Sequence, residues 1–226
     1  WFSTPSLLIY LLNLKLINRK SFYFLKKIIF GGEGFPKNKL KELMKIVGKN
    51  KKYINVYGPT EGTCICSSHV VNKKDLSTLK GYVTIGEIWD DFNYSIGLSF
   101  NKTKKKEGEL KIYGPNISLG YIGDEIQTKK SFIFHHKYKN KIIGYKTGDI
   151  VKNTSSKQKL YFIGRKDTQI KLMGYRIELN EIELAINEIK HVNEAIVFLK
   201  SDSENKKIIC VIASKKSISN DYIYNE

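Results

Sequence analysis

The stretch 55–61, with the sequence NVYGPTE, constrains the fold of this chain more than any other feature. Apolar residues precede it and a mixed apolar run, 64–71, follows it, so the pattern predicts a strand, a turn and a second strand. Gly58 and Pro59 supply the turn. The stretch therefore places an aromatic ring, a hydroxyl and a carboxylate side by side just after a strand.

The side chains of this stretch suit a nucleotide. Tyr57 can present its ring face to a purine, Thr60 can donate a hydrogen bond to a phosphate oxygen, and Glu61 can bind a hard cation such as Mg²⁺. An ordinary β-turn with a stacked tyrosine explains the same residues, because short motifs have a real false-positive risk. The choice depends on the other motifs of the chain.

Further segments carry polar groups of the same kind. Asp149 follows a turn glycine and could accept both hydroxyls of a ribose, although a lone Asp in such a turn is more often a local backbone cap. Arg165 offers a charged bidentate donor to phosphate or ribose oxygens. Residues 169–179 alternate polar and apolar as a strand does, and Asn180 with Glu183 predicts the N-cap and capping box of a following helix.

Taken together, these segments resemble the adenylate-forming superfamily: acyl-CoA synthetases, luciferases, the amino-acid adenylation domains of nonribosomal peptide synthetases, and D-alanine:carrier-protein ligases. Four blocks match in order, at 55–61, 108–122, 145–149 and 164–183. The segments 3–6 and 28–33 are also similar to the approach to the nucleotide site in these ligases. Ordered co-occurrence of blocks is much more specific than any single motif.

The resemblance implies a set of nucleotide-binding residues. They are Gly32, Glu33, Gly34, Asn55, Tyr57, Asp149, Phe162 and Lys171. The 32–34 backbone would pass close to the adenine, which favours glycine there. Asn55 would meet the adenine amino group, Tyr57 would stack on the ring, and Asp149 would hold the ribose. Phe162 stands where the family more often has tyrosine, so any hydroxyl contact is lost at that position.

The implied catalytic residues are Thr60, Glu61 and Arg165. Thr60 would bond the α-phosphate, and Glu61 would be the Mg²⁺ ligand. Arg165 would lie beside Asp149. Asp167 would fall on the hinge about which a small C-terminal domain swings between the adenylation and thioester-forming states.

A substrate pocket can be outlined by position. The residues expected to line it are Ile29, Gly31, Val56, Cys64 and Ile65. All are small or apolar, so they would favour a small or apolar amino acid. Ordinary strand burial is the competing explanation, because apolar strand residues usually pack the core.

The implied reaction is attack of a carboxylate on the α-phosphorus of ATP, with Mg²⁺ bound, which gives an acyl-adenylate and pyrophosphate. A carrier protein's phosphopantetheine thiol then takes the acyl group and AMP is released. Two alternatives stay open: an inactive remnant or nucleotide-binding module of the same fold, and a ligase of the acyl-CoA synthetase type. The family's Ser/Thr/Gly-rich phosphate loop and C-terminal catalytic lysine have no counterpart in this sequence, so we expect an interior fragment with little turnover alone.

The expected fold class is α/β and α+β. Residues 1–90 would form part of an α/β core subdomain that carries the adenine and Mg²⁺ site, 91–166 a β-rich, barrel-like subdomain, and 167–226 the first half of a small α+β lobe.

Individual elements follow from the residue pattern. Apolar residues on one face predict an amphipathic helix over 37–47, and alternation predicts a strand over 109–113. Two paired strands are predicted at 195–199 and 207–213.

The net charge of +17 would ordinarily suggest nucleic acid or an anionic membrane as partner. The excess is nearly all lysine, whereas readers of nucleic acid favour arginine for bidentate contacts. We expect the densest run, 102–106, to be a solvated hairpin loop, and we expect no specific nucleic-acid partner.

The remaining composition points to the cytoplasm. The apolar run 7–12 is too short to span a bilayer and lacks the flanks of a signal peptide. The three cysteines have neither metal-site nor disulfide-framework spacing, which favours a reducing compartment.

Overall fold

The computed structural model describes residues 1–97, 107–135, 141–153, 159–201, 206–214, 216 and 223. The chain divides into two compact units, Trp1–Lys166 and Asp167–Glu226. The lysine run 102–106 lies outside the described residues. Within the described ranges, no helix has both the length and the apolar character needed to cross a bilayer.

The first sheet of unit 1 is mixed. Its strands, in sheet order, are β1 (Phe2–Ser3), β2 (Lys27–Gly31), β3 (Lys52–Tyr57), β4 (Ser67–Val70) and β5 (Glu87–Ile88). The first three run parallel and the last two are antiparallel to their neighbours. The predicted strand, turn and second strand around 55–61 are confirmed, with a 3₁₀ turn at Thr60–Gly62 between them.

Two helices provide the crossovers that parallel strands require. They are α1 (Pro5–Asn13), after β1, and α2 (Lys37–Val47), after β2. The predicted helix over 37–47 is confirmed, with Leu40, Leu43 and Val47 buried. Gly48 ends α2 with a φ of 114°, a conformation that glycine adopts without strain. The parallel arrangement puts the carboxyl ends of β2 and β3 at one edge of the sheet.

The second sheet of unit 1 is antiparallel. Its members are β6 (Asn93–Ile96), β7 (Glu107–Tyr113), β8 (Phe132–His135), β9 (Lys141–Asn153) and β10 (Leu160–Arg165). The order is β10-β9-β7-β6, and β8 also pairs with β9. The short helix α3 (Glu125–Ser131) precedes β8. The β-rich prediction is confirmed, but the barrel-like shape is not, because the strands among the described residues form an open sheet.

The segment 84–86 joins the two sheets. Ile85 donates its backbone N–H to the Leu160 carbonyl at 3.0 Å, and the Leu160 N–H returns to the Gly86 carbonyl at 2.9 Å. The Thr84 hydroxyl also donates to the Leu160 carbonyl, at 2.6 Å. Tyr57, at the end of β3, packs into the core of the second sheet. This junction fixes the end of β3 against β9 and β10.

Two strand pairs and a helix lie in the described part of unit 2. The elements are β11 (Gln169–Leu172), β12 (Tyr175–Glu178), α4 (Leu179–Asn187), β13 (Val192–Ser201) and β14 (Lys206–Ser214). Strands β13 and β14 pair as predicted. The single strand expected over 169–179 is wrong: Met173 and Gly174 both have positive φ and form the turn of a hairpin.

The predicted capping box of α4 is also wrong. The helix begins at Leu179, its N-cap is Glu178, and no side chain caps it. Asn180 consequently lies inside the first turn and is exposed. Glu183 instead accepts a hydrogen bond from the backbone N–H of Val197, at 2.9 Å. The Glu183 carboxylate therefore bonds to strand β13 and not to the start of its own helix.

Candidate active site

A buried carboxylate is held between a phenol and a guanidinium at the junction of the two sheets. The Tyr57 hydroxyl donates to Oδ2 of Asp149 at 2.6 Å, and Nη1 of Arg165 donates to Oδ1 at 2.9 Å. The same Nη1 also donates to the Thr147 carbonyl, at 2.9 Å. Asp149 is only 1% exposed. Strands β3, β9 and β10 thus bring three sequence-predicted residues into direct contact.

The electrostatics of this group are consistent with its burial. Burial first, then the charge of Asp149 and its hydrogen bond, raise the pKa of Tyr57 well above its ordinary value, so the phenol remains a donor at neutral pH. Arg165 supplies the counter-charge that a buried carboxylate requires. A carboxylate has about four lone-pair positions. Ribose hydroxyls would share that acceptor capacity with Tyr57 and Arg165.

Glu61 is the centre of a second hydrogen-bond group. Its Oε1 accepts from the hydroxyls of Tyr121, at 2.5 Å, and Tyr145, at 2.8 Å. Its backbone carbonyl accepts from the N–H of Ser118 at 2.9 Å. Burial, and next the hydrogen bond to Glu61, raise the pKa of Tyr121 well above its ordinary value. Sequence reasoning included both tyrosines in the matching blocks but gave neither a role.

The Glu61 carboxylate fits a Mg²⁺ site in which the substrate supplies further ligands. No group of three or more His, Cys, Asp or Glu residues that could hold a metal occurs in the part of the chain that the structure describes. Mg²⁺ is commonly bound by one or two carboxylates together with waters and substrate phosphates. A single carboxylate therefore fits a cation that arrives with a polyphosphate.

The glycines at the end of β2 and just after it leave room for neighbouring residues. A Cβ on Gly31 would lie 2.4 Å from the carbonyl oxygen of Val56, and one on Gly34 would lie 2.7 Å from the ring of Tyr82. Gly32 has a φ of 84°. Glu33 accepts a hydrogen bond from the hydroxyl of Ser6. The approach of an adenine to this backbone stays a prediction.

Asn55 is buried on β3, and its side-chain amide donates to the carbonyl of Thr84 at 2.8 Å. Thr84 is therefore a site neighbour that the sequence did not indicate. No motif marks it, because its position follows from the pairing of the two sheets. The contact of Asn55 with an adenine amino group stays a prediction.

The predicted substrate-pocket residues divide between strands and a loop. Ile29 and Gly31 lie on β2, and Gly31 pairs with Val56 of β3. Cys64 is an exposed free thiol with a φ of 76°, and Ile65 is half-buried. Their function as a pocket stays a prediction.

The remaining predicted residues occupy varied positions. Thr60 is exposed at the start of the 3₁₀ turn. Phe162 is partly buried and packs against the hydrophobic core of the second sheet. Asp167 and Lys171 belong to unit 2. There Asp167 accepts a hydrogen bond from the N–H of Gln169 at 3.3 Å, and Lys171 pairs with Arg176 across the hairpin.

The amino-acid sequence is similar to a known enzyme family and to named proteins. The family described as AMP-binding enzyme matches residues 1–122. The chain is 36% identical over 202 residues to a D-alanine–D-alanyl carrier protein ligase of Staphylococcus epidermidis, covering 87% of the chain and 37% of the relative. It is 34% identical over 206 residues to bacitracin synthase 1 of Bacillus licheniformis, covering 87% of the chain and 4% of the relative. The chain thus spans less than half the length of these curated relatives.

Solved structures share the fold. The Vibrio cholerae adenylation domain AlmE, in complex with glycyl-adenosine-5′-phosphate, aligns with a TM-score of 0.81 at 23% identity, over 100% of this chain and 43% of that one. An artificially fused adenylation–PCP di-domain, NpsA-ThdA from Klebsiella oxytoca, aligns with a TM-score of 0.80 at 18% identity, over 99% of this chain and 41% of that one. The expected adenylation-core fold is confirmed.

Proposed function

The chain belongs to the AMP-binding enzyme family, and from this premise we propose that it is part of an ATP-dependent ligase. This ligase activates an amino acid, or another small carboxylate, as its acyl-adenylate and passes the acyl group to the phosphopantetheine thiol of a carrier protein. The similarity to a D-alanine–D-alanyl carrier protein ligase supports both an amino-acid substrate and a carrier-protein acceptor.

The observation that carries the proposal is the convergence of nucleotide-binding chemistry on one strand. Tyr145 and Asp149 lie four residues apart on β9. The Tyr145 hydroxyl donates to Oε1 of Glu61 at 2.8 Å. Asp149 accepts hydrogen bonds from Tyr57 and Arg165. An aromatic ring, an acceptor for hydroxyls, a cation and a carboxylate of the kind that binds metal thereby lie along one strand. A purine ribonucleoside phosphate with its metal requires this combination of groups.

In the first step, an oxygen of the substrate carboxylate bonds to the α-phosphorus as the bond from that phosphorus to the pyrophosphate oxygen breaks. Catalysis is mainly positioning and charge stabilisation, because two anions must approach each other. Tyr57 would stack on the adenine, Asp149 would accept from the ribose, and the exposed Thr60 hydroxyl would donate to the α-phosphate. Mg²⁺ held at Glu61 would supply neutralising charge.

In the second step, the thiolate sulfur bonds to the acyl carbon, and the bond from that carbon to the AMP oxygen breaks. Asp167 is the first residue of unit 2. It is the proposed hinge about which the C-terminal domain moves between the first step and the second. The small and apolar residues at Ile29, Gly31 and Val56 would favour a small or apolar amino acid. The three free thiols suit a reducing compartment, so the proposed location is the cytoplasm.

The test is amino-acid-dependent exchange of labelled pyrophosphate into ATP by the full-length protein, with each of the twenty amino acids and D-alanine. We expect exchange with one or a few small or apolar amino acids, and none in the control without amino acid. Nucleotide binding without exchange for any of them would contradict the proposal and favour an inactive module. Thioester formed on coenzyme A but not on a carrier protein would favour the acyl-CoA synthetase type.

A further inference from the structure

Two tyrosine hydroxyls from separate elements reach the same oxygen of Glu61. Tyr121 comes from the loop before α3 and lies 2.5 Å from Oε1, and Tyr145 comes from β9 and lies 2.8 Å from it. The two hydroxyl oxygens are 3.3 Å apart. Glu61 itself is 6% exposed. A buried carboxylate with two converging donors has a fixed orientation.

The tyrosine rings are held by packing that does not involve Glu61. The Phe132 ring contacts both, with centroids 5.4 Å from Tyr121 and 5.1 Å from Tyr145. The Tyr121 backbone N–H donates to the Thr128 hydroxyl at 2.8 Å. Tyr145 is 2% exposed and pairs in register with Ile112 and Phe132. The second sheet and α3 therefore help to fix the positions of the two hydroxyls.

The hydrogen bonds given for the two carboxylates of the site come from different kinds of donor. Arg165 neutralises Asp149 through an ion pair of 2.9 Å. The donors that reach Oε1 of Glu61 are neutral phenols, which orient a carboxylate without cancelling its charge. The two phenols therefore fix the orientation of the Glu61 carboxylate and add no positive charge beside it.

We propose that Tyr121 and Tyr145, here called the tyrosine clamp, are positioning residues that present Glu61 to the metal of a metal–nucleotide complex. This inference rests on the proposed function, because that function supplies the nucleotide. The clamp acts through Glu61 and does not itself touch nucleotide. Its specific consequence is that metal affinity, and not nucleotide affinity as such, depends on the two hydroxyls.

The test compares Tyr121→Phe, Tyr145→Phe and the double variant of the full-length protein, each of which keeps its rings. Mn²⁺ replaces Mg²⁺, and its affinity for the protein in the presence of ATP is measured by electron paramagnetic resonance. ATP affinity is measured separately by calorimetry in EDTA. The matched control is Tyr53→Phe, which removes a tyrosine hydroxyl bonded at 2.7 Å to the Gly48 carbonyl, in the other core.

We expect each single variant to weaken Mn²⁺ binding about tenfold, as loss of an outer-shell partner typically does. ATP affinity in EDTA should stay unchanged, and Tyr53→Phe should change neither quantity. The inference is wrong if Mn²⁺ affinity is unchanged or rises, since a rise would mean that the hydroxyls shield Glu61. Equal losses of metal-free ATP binding would indicate a merely structural role and would also contradict it.

The two proposals fail separately. A wild-type protein whose Mn²⁺ affinity depends on the clamp, but which exchanges pyrophosphate with no amino acid, would contradict the proposed function and leave the clamp supported. A wild-type protein that exchanges pyrophosphate normally in all clamp variants at limiting Mg²⁺ would contradict the clamp and leave the function supported.

Discussion

The Asp149 carboxylate lies in the interior of unit 1. Two residues from other strands stabilise it. Arg165 forms the ion pair and Tyr57 donates to the other carboxylate oxygen. A side chain expected to hold a ribose is therefore also part of the structure of the site. Replacing it changes the protein before any ligand arrives, because a buried charge that loses its partner is strongly destabilising.

We predict that Asp149→Asn lowers the free energy of unfolding by about 3 kcal/mol, because the partly buried Arg165 loses the carboxylate with which it forms an ion pair. Affinity for ATP should fall as well, since one carboxylate oxygen becomes an amide donor. Urea unfolding and calorimetry measure the two effects. Tyr57→Phe is the matched control: it keeps the ring, loses the hydrogen bond to Asp149 and should cost about 1 kcal/mol. Unchanged ATP affinity in Asp149→Asn would contradict the ribose role.

At the scale of elements, the spacing of β2 and β3 depends on Gly31. Its predicted role was to line a substrate pocket, but the structure gives it a packing role in the sheet as well. We predict that Gly31→Ala destabilises unit 1 by about 2 kcal/mol, because the added Cβ meets the Val56 backbone and overpacking is costly.

The matched control for Gly31→Ala is Gly164→Ala on β10, where an added Cβ would have no neighbour within 4 Å. Its effect should stay within about 0.5 kcal/mol. Thermal or urea unfolding of both variants measures the difference. Equal stability of the two variants would show that β2 and β3 can shift to accommodate a methyl group.

Helix α4 is attached to β13 through side chains near its end and not through its start. Asn187 accepts from the Ala195 N–H at 2.8 Å, whereas Asn180 caps nothing. We predict that Asn187→Ala costs unit 2 about 1 kcal/mol, while Asn180→Ala is nearly neutral. Hydrogen exchange of unit 2 amides should be about fivefold faster in Asn187→Ala. A larger effect of Asn180→Ala would restore the capping-box hypothesis.

At the scale of the whole molecule, both hydrogen-bond groups of the site lie within Trp1–Lys166. We predict that a chain ending at Lys166 unfolds in one cooperative urea transition, because 166 residues can bury a sufficient core. Near-ultraviolet circular dichroism follows the buried tyrosines during unfolding. A gradual transition, or loss of the near-ultraviolet signal before urea is added, would show that unit 1 depends on unit 2.

The sequence by itself determined the elements whose signals are local. The strand, turn and strand around 55–61 and the helix α2 follow from apolar spacing and turn residues within about ten positions. The alternation of polar and apolar residues predicted one strand where the structure has two, β11 and β12. Two residues with positive φ form the turn between them, and the side-chain pattern does not indicate backbone φ. The ordered blocks indicated the family, because several motifs in a fixed order are much more specific than any single motif.

Only the tertiary structure decided how the site is held together. Tyr57 and Asp149 are 92 residues apart, and Glu61 and Tyr145 are 84 apart, so no local pattern could pair them. Their pairing follows from burial: a polar group removed from water needs a partner, and the junction of the two sheets determines which one is within reach. The sequence named most of the chemical groups of the candidate site, and the fold alone placed Thr84, Tyr121 and Tyr145 among them.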